Sequence, residues 1–159
     1  MAGKKMELGP TGELVAANVK RLRDGREYKW LSEQLKALGR DITPLAVRRI
    51  EERERRVDAD DLVALAVALG VSPMTLLAPP FEDPKESVRL LDDEVNAVAL
   101  WEWLRVNRPL AGQSPHDFLV RSSPPWVVRR MMELLQEQEM VPDPRVRAML
   151  RGDGSGNDK

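Results

Sequence analysis

Between Ile42 and Leu77 the chain gives the same start signal three times: Ile42-Thr43-Pro44 before Val47, Val57-Asp58 before Leu62, and Val71-Ser72-Pro73 before Leu76. In each, a short polar side chain can accept a hydrogen bond from a first-turn amide that has no partner inside the helix. Proline at the next position loses nothing, because its missing N–H had no helical partner. The apolar residue before the cap can close as a staple over one at the fourth helical position. Starts this close together leave room only for short helices packed on one another. Ser114-Pro115 and Ser123-Pro124 supply two more starts.

These signals predict helices over about 12–24, 28–38, 44–52, 59–69 and 73–77. The first carries Leu14, Val15, Val19 and Leu22 on one face, and the second carries Leu31, Leu35 and Leu38 before Gly39. The fourth, closed by Gly70, is apolar over most of its surface, which predicts a central buried helix. The stretch APPFEDPKE, 78–86, has three prolines and four charges in nine residues and reads as a linker. Beyond it, helices are expected over about 87–105 and 124–139, with a short turn of helix over 115–120. β-Branched residues occur singly or in pairs without convincing alternation, so no strand is expected. Residues 1–11 read as a flexible N-terminal arm, 87–141 as a helical C-terminal region and 142–159 as a mostly disordered tail.

Composition excludes several classes. With 159 residues, 42% apolar and 32% charged, the chain can build one ordinary domain or two small ones. It has no cysteine, so neither a disulfide framework nor thiolate chemistry is available, and a reducing cytoplasm fits. No N-terminal apolar run suggests a signal peptide, and no window is long and apolar enough to span a membrane. The single histidine, His116, adjoins Asp117 but no nucleophile or metal cluster, and there is no glycine-rich phosphate loop. The expectation is a protein that is not an enzyme and uses no metal or cofactor. Net charge is −1, but residues 20–56 hold 12 Lys/Arg against 7 Asp/Glu, while 57–159 hold 11 against 17. A basic segment in an otherwise acidic chain hints at contact with nucleic acid.

That segment contains the third helix. Ala46, Val47 and Ile50 suit the core. Leu45, Arg48, Arg49 and Glu52 fall at spacings 0, 3, 4 and 7, one stripe on the opposite side, with Arg53, Arg55 and Arg56 following. Arginine can pair bidentately with guanine O6 and N7, or with phosphate oxygens. The competing reading is a solvated face balanced by ion pairs such as Arg48 with Glu52.

The residues LSEQL at 31–35, ITPLAVRRIE at 42–51 and VDADDLVALAVALGVSPMTLL at 57–77 resemble the Cro/C1-type (XRE-like) helix-turn-helix regulators, bacterial repressors among them. The resemblance covers about residues 12–80. It implies an all-α chain: a five-helix helix-turn-helix DNA-binding domain over 12–77, followed by a small helical C-terminal region. It implies binding of double-stranded DNA, usually as a homodimer on a near-palindromic operator, in the cytoplasm. By position it assigns base reading to Thr43, Pro44, Leu45, Arg48 and Arg49, and phosphate contact to Tyr28 and Lys29 at the start of the second helix. Arg53, Arg55 and Arg56 either hold phosphate or balance Glu51, Glu52 and Glu54.

The chain departs from the family in two places. The connection between Leu35 and Ile42 is several residues longer than the family's tight turn. Arg53 stands where the family usually has glycine after the third helix, so it either takes a left-handed conformation at a cost of about 1 kcal/mol or lets the helix run on.

Trp101, Trp103 and Trp126 place three of four tryptophans beyond the linker. A stripe of Leu91, Val95, Val98 and Trp101 along one helix predicts a dimerisation face. A protein partner or small-molecule effector at the C-terminal region is the other possibility there. The competing function is an antitoxin-like or adaptor protein whose C-terminal half grips a protein partner.

Overall fold

The computed structural model describes residues 7–110 and 112–139; the tail expected at 142–159 lies outside them. The molecule is mostly helical, with eight helices and one two-stranded antiparallel sheet among the described residues. The chain divides into two units, Met1–Arg105 and Val106–Lys159.

The first unit opens with α1 (Pro10–Arg23), α2 (Tyr28–Ala37), α3 (Pro44–Glu51), α4 (Ala59–Leu69) and α5 (Pro73–Leu77). The three repeated starts act as caps. Thr43 Oγ1 accepts from the Ala46 amide at 3.2 Å, Asp58 from the Asp61 amide at 2.7 Å, and Ser72 from the Met74 amide at 3.3 Å. Val19 of α1, Leu31 and Leu35 of α2, Val47 and Ile50 of α3, Leu65 of α4 and Leu76 of α5 meet at zero exposure. Each contributes roughly 1.5–3 kcal/mol of apolar burial.

Helix ends set the angles between neighbours. After α2, Gly39 takes φ +80°, with its amide on Lys36 O and the Arg40 amide on Leu35 O. This left-handed stop uses up part of the long connection before α3. Ser32 Oγ then donates to Ile42 O at 2.6 Å, and buried Ile42 seats the chain for the Thr43 cap. After α3 the same stop is made without glycine. Arg53 takes φ +63°, its amide donates to Ile50 O, and the Glu54 amide donates to Arg49 O. Of the two outcomes the sequence allowed at Arg53, the left-handed one occurs.

Two expectations are corrected. First, α4 is not buried all round: Val63 and Val67 are 53% and 58% exposed. Its neighbours α1, α2 and α5 cover the other side, where Ala64, Leu65 and Ala66 are buried.

Second, residues 87–105 are not one helix. They form β1 (Ser87–Leu90) and β2 (Asp93–Asn96), paired Val88 with Val95 and Leu90 with Asp93, then α6 (Ala97–Leu104). Val88, Leu90 and Val95 are half-buried, and β1 packs beside α1. Leu91 and Asp92 make the two-residue turn, with Leu91 at φ +57°. Asn96 accepts from the Ala99 amide at 2.8 Å and starts α6. Leu91, Val95, Val98 and Trp101 therefore form no helical stripe: the first is in a turn, the second on a strand, and the last two on α6. Nor does the first unit end at the proline-rich stretch 78–86; it continues to Arg105.

The second unit holds α7 (Pro115–Ser122), capped by Ser114, and α8 (Pro125–Glu139). The helix α8 begins one residue later than expected, because Ser123 is the C-cap of α7. Among residues 106–110 and 112–136 none is buried, and Trp126 is 70% exposed.

Candidate nucleic-acid interface

The helix α3 is held from below and open above. Val47 and Ile50 anchor it in the core. At its last residue, the Glu51 carboxylate receives Arg23 of α1 at 2.6 and 2.9 Å. Arg23 in turn stacks 4.3 Å from the centre of the Tyr28 ring. The Glu51 hydrogen bond lifts the Arg23 pKa above its ordinary value, against the opposing effect of burial. These contacts fix α3 on α1 and α2 without using its outer face.

That outer face carries Pro44, Leu45, Arg48, Arg49 and Glu52, all exposed. At about 100° per residue, Leu45 and Glu52 lie along the middle of the face, with Arg48 and Arg49 flanking them on either side. Arg48 Nε donates to Glu52 Oε1 at 2.8 Å. This hydrogen bond and the Glu52 charge raise the Arg48 pKa further. Arg49 makes no ion pair or side-chain hydrogen bond among the described residues. Thr43 spends its hydroxyl on the helix cap.

The arginines after α3 are engaged differently. Arg53 lies 3.4 Å from Glu13, and both side chains are about half exposed. Arg55 donates to the buried carboxylate of Asp61 at 2.8 Å. Arg56 donates to Glu7 O at 2.9 Å. The same Asp61 accepts from Arg40 Nε at 3.1 Å, and Arg40 also approaches Asp58 and Asp60. The Arg40 pKa is raised, first by the hydrogen bond to Asp61. One carboxylate on α4 thus ties down the connections on both sides of α3. The sequence gives no sign of this role for Asp61, because a contact between loops 15 residues apart leaves no periodic trace.

Of the two residues expected at phosphate on α2, Lys29 is exposed and lies 3.8 Å from Glu33, whereas Tyr28 is half-buried under Arg23. Trp30 is half-buried, with Arg26 stacked 3.7 Å from its ring centre.

Elsewhere in the first unit, Thr75, Phe81, Val98 and Trp101, with Pro79, Pro80 and Pro84, line an apolar groove of about 580 Å³, edged by Arg21, Glu82 and Asp83. Val98 and Trp101 face it at about half exposure. Among the described residues, no group of three His, Cys, Asp or Glu side chains could hold a metal, and no helix is long and apolar enough to cross a membrane.

No family model, no curated protein and no solved structure matches the chain.

Proposed function

We propose that the chain is a sequence-specific DNA-binding transcriptional regulator of the Cro/C1 helix-turn-helix type. In this reading it is a repressor that binds a near-palindromic operator as a homodimer and inserts α3 into the major groove. One observation carries the reading. A short capped helix is bound to the core through Val47, Ile50 and Glu51, yet turns two arginines and an exposed leucine outward. A helix kept only for packing has no need of that outer face; a major-groove reader does, because arginine pairs with guanine and leucine meets the thymine methyl.

Within this reading, Arg48, Arg49 and Leu45 contact base edges or the adjacent backbone, with Pro44 and Thr43 close to the sugar-phosphate chain. Phosphate contact falls chiefly to Lys29, Arg53 and Arg56, whose charged groups are exposed. Arg55 and Tyr28 are drawn inward by Asp61 and Arg23. The dimer contact is placed on Val98 and Trp101 of α6.

The test is selection of bound fragments from a random DNA pool by the purified full chain. An enriched motif with two related half-sites supports the reading, and its absence defeats it. The apolar groove at Trp101 favours a second reading, an antitoxin-like or adaptor protein that binds a protein partner there. That reading moves ahead if the pool yields no motif.

A further inference from the structure

We propose that Glu52 is a positioning residue for base recognition: it holds Arg48 end-on to one guanine in each half-site, while Arg49 contacts the backbone. The proposal deepens the DNA-binding reading and rests on it.

One edge of the Arg48 guanidinium is occupied and the other is free. Its Nε–H points at Glu52 Oε1, 2.8 Å away, and neither Nη makes a hydrogen bond or ion pair among the described residues. A guanidinium is a rigid planar fork with five donors. With Nε turned back to the protein, the free edge is the one carrying Nη1 and Nη2. Its two parallel N–H groups match the O6 and N7 acceptors of guanine. No other base pair edge offers two acceptors so placed on one base.

The backbone of Glu52 is itself fixed. The residue is the C-cap of α3, and its amide donates to Arg48 O at 2.9 Å. The next residue, Arg53, turns left-handed and ends the helix there. The Glu52 backbone therefore stands one turn beyond Arg48, within reach of the Arg48 Nε, and an arginine restrained before binding loses less rotamer freedom on binding. Arg49 has no such partner.

The position of Glu52 supports the same assignment. A carboxylate in the middle of a face that approaches DNA repels phosphate. Pairing with Arg48 neutralises it and turns it to use. None of the other nearby arginines pairs with Glu52 among the described residues: Arg53 meets Glu13, Arg55 meets Asp61 and Arg56 meets Glu7 O.

The experiment begins with the full chain and a random DNA pool. If the wild-type chain enriches no motif, the DNA-binding reading has failed, and this proposal with it. If a motif appears, each guanine in it is replaced in turn by 7-deazaguanine and by adenine. Affinity and salt dependence are then measured for wild type, Arg48→Ala, Arg49→Ala, Glu52→Gln and Glu52→Ala, with thermal melting to show that each variant is folded. Wild type should lose roughly tenfold or more at one guanine. Arg48→Ala should erase that sensitivity. Glu52→Ala should reduce it severalfold at that base pair alone, while binding to scrambled DNA stays level or tightens. Glu52→Gln should fall between, since its amide oxygen still accepts from Nε without the charge. Arg49→Ala should weaken all sequences alike and lower the salt slope by about 1. A merely helix-stabilising ion pair would not produce a loss confined to one base pair. The proposal is overturned if Glu52→Ala tightens every sequence in equal proportion, or if the sensitive guanine disappears with Arg49→Ala and survives Arg48→Ala.

Discussion

Arg55 Nη2 lies 2.8 Å from Oδ2 of Asp61, a carboxylate with 1% of its side-chain surface exposed. The other oxygen of Asp61 takes Arg40, so a single acid on α4 gathers the chain before and after α3. The two arginines remain about one-third exposed, which lets their unused donors reach water. Removing one side of such a pair is costly, because it leaves the buried partner uncompensated.

Asp61→Asn should therefore destabilise the chain by about 2–3 kcal/mol, the worth of a pair of charge-assisted hydrogen bonds less what the amide regains. Arg55→Ala alone should cost about 1 kcal/mol, because Arg40 still neutralises the acid and the site is partly wet. The double variant should fall short of the sum, since both substitutions break the same pair. Urea unfolding of the full chain measures all three. A change below about 0.5 kcal/mol for Asp61→Asn would mean that the carboxylate is not what fixes the two loops.

Asn18 makes a second internal tie. Its Nδ2 donates to Leu76 O at 3.1 Å and to Ala78 O at 2.8 Å, and its Oδ1 accepts from Arg21. The side chain is 1% exposed, yet every polar atom is satisfied. It closes α1 over the end of α5, a helix too short to hold itself. Asn18→Leu keeps the volume but strands two carbonyls, so a loss of about 2–3 kcal/mol is expected. Asn18→Asp should be at least as harmful, because it sets an acceptor against those carbonyls. Hydrogen exchange should show residues 73–78 losing protection first. Uniform loss across the unit would place the tie elsewhere.

Among the non-glycine residues in left-handed conformations are Arg53, at φ +63° after α3, and Leu91, at φ +57° in the hairpin turn. A left-handed side-chain residue costs about 1 kcal/mol relative to glycine. Arg53→Gly should raise stability by roughly that amount, less a few tenths for the exposed contact with Glu13. Leu91→Gly should do the same, because Leu91 is 76% exposed and leaves no cavity. Thermal or urea midpoints decide each case. A fall with Arg53→Gly would show that its pairing with Glu13 outweighs the backbone strain.

Those two residues also show how far the sequence could be read. The helix starts at 44, 59 and 73 were legible because a cap, and at 44 and 73 the proline after it, is local chemistry, complete within a few residues. The exposed face of α3 followed from periodicity alone. The hairpin at 87–96 was hidden. Its turn is Leu-Asp, with none of the glycine or asparagine that marks a two-residue turn, and its apolar residues happen to repeat at helical spacing. One signal was available: Asn96 before Ala-Val-Ala-Leu is a helix cap, and it places a boundary inside the supposed helix. The clasp of Arg40 and Arg55 on Asp61, and the bond from Asn18 to Ala78, join residues far apart in sequence. No spacing rule could have found them.

The hairpin and α6 set up the final prediction, which concerns where the first unit ends. If the proline-rich stretch 78–86 were a boundary, a fragment ending at Pro80 would be as stable as a longer one. The structure argues otherwise. Leu100 and Ala97 of α6 are 1% and 5% exposed, and β1 lies along α1, whose Ala16 is 1% exposed. Burying a leucine alone is worth roughly 2 kcal/mol, and the half-buried Val88, Leu90 and Val95 add to it. A fragment of residues 1–105 should unfold in one cooperative step. A fragment of residues 1–80 should be less stable by about 2–4 kcal/mol, less than the summed burial because the truncated surface relaxes. Circular dichroism should show both as helical, since the core of α1 to α5 is intact in each. Urea titration of the two fragments then decides the boundary. Equal midpoints and slopes would show that the hairpin and α6 are appended to a finished five-helix core, and that the linker at 78–86 is the true end of the unit.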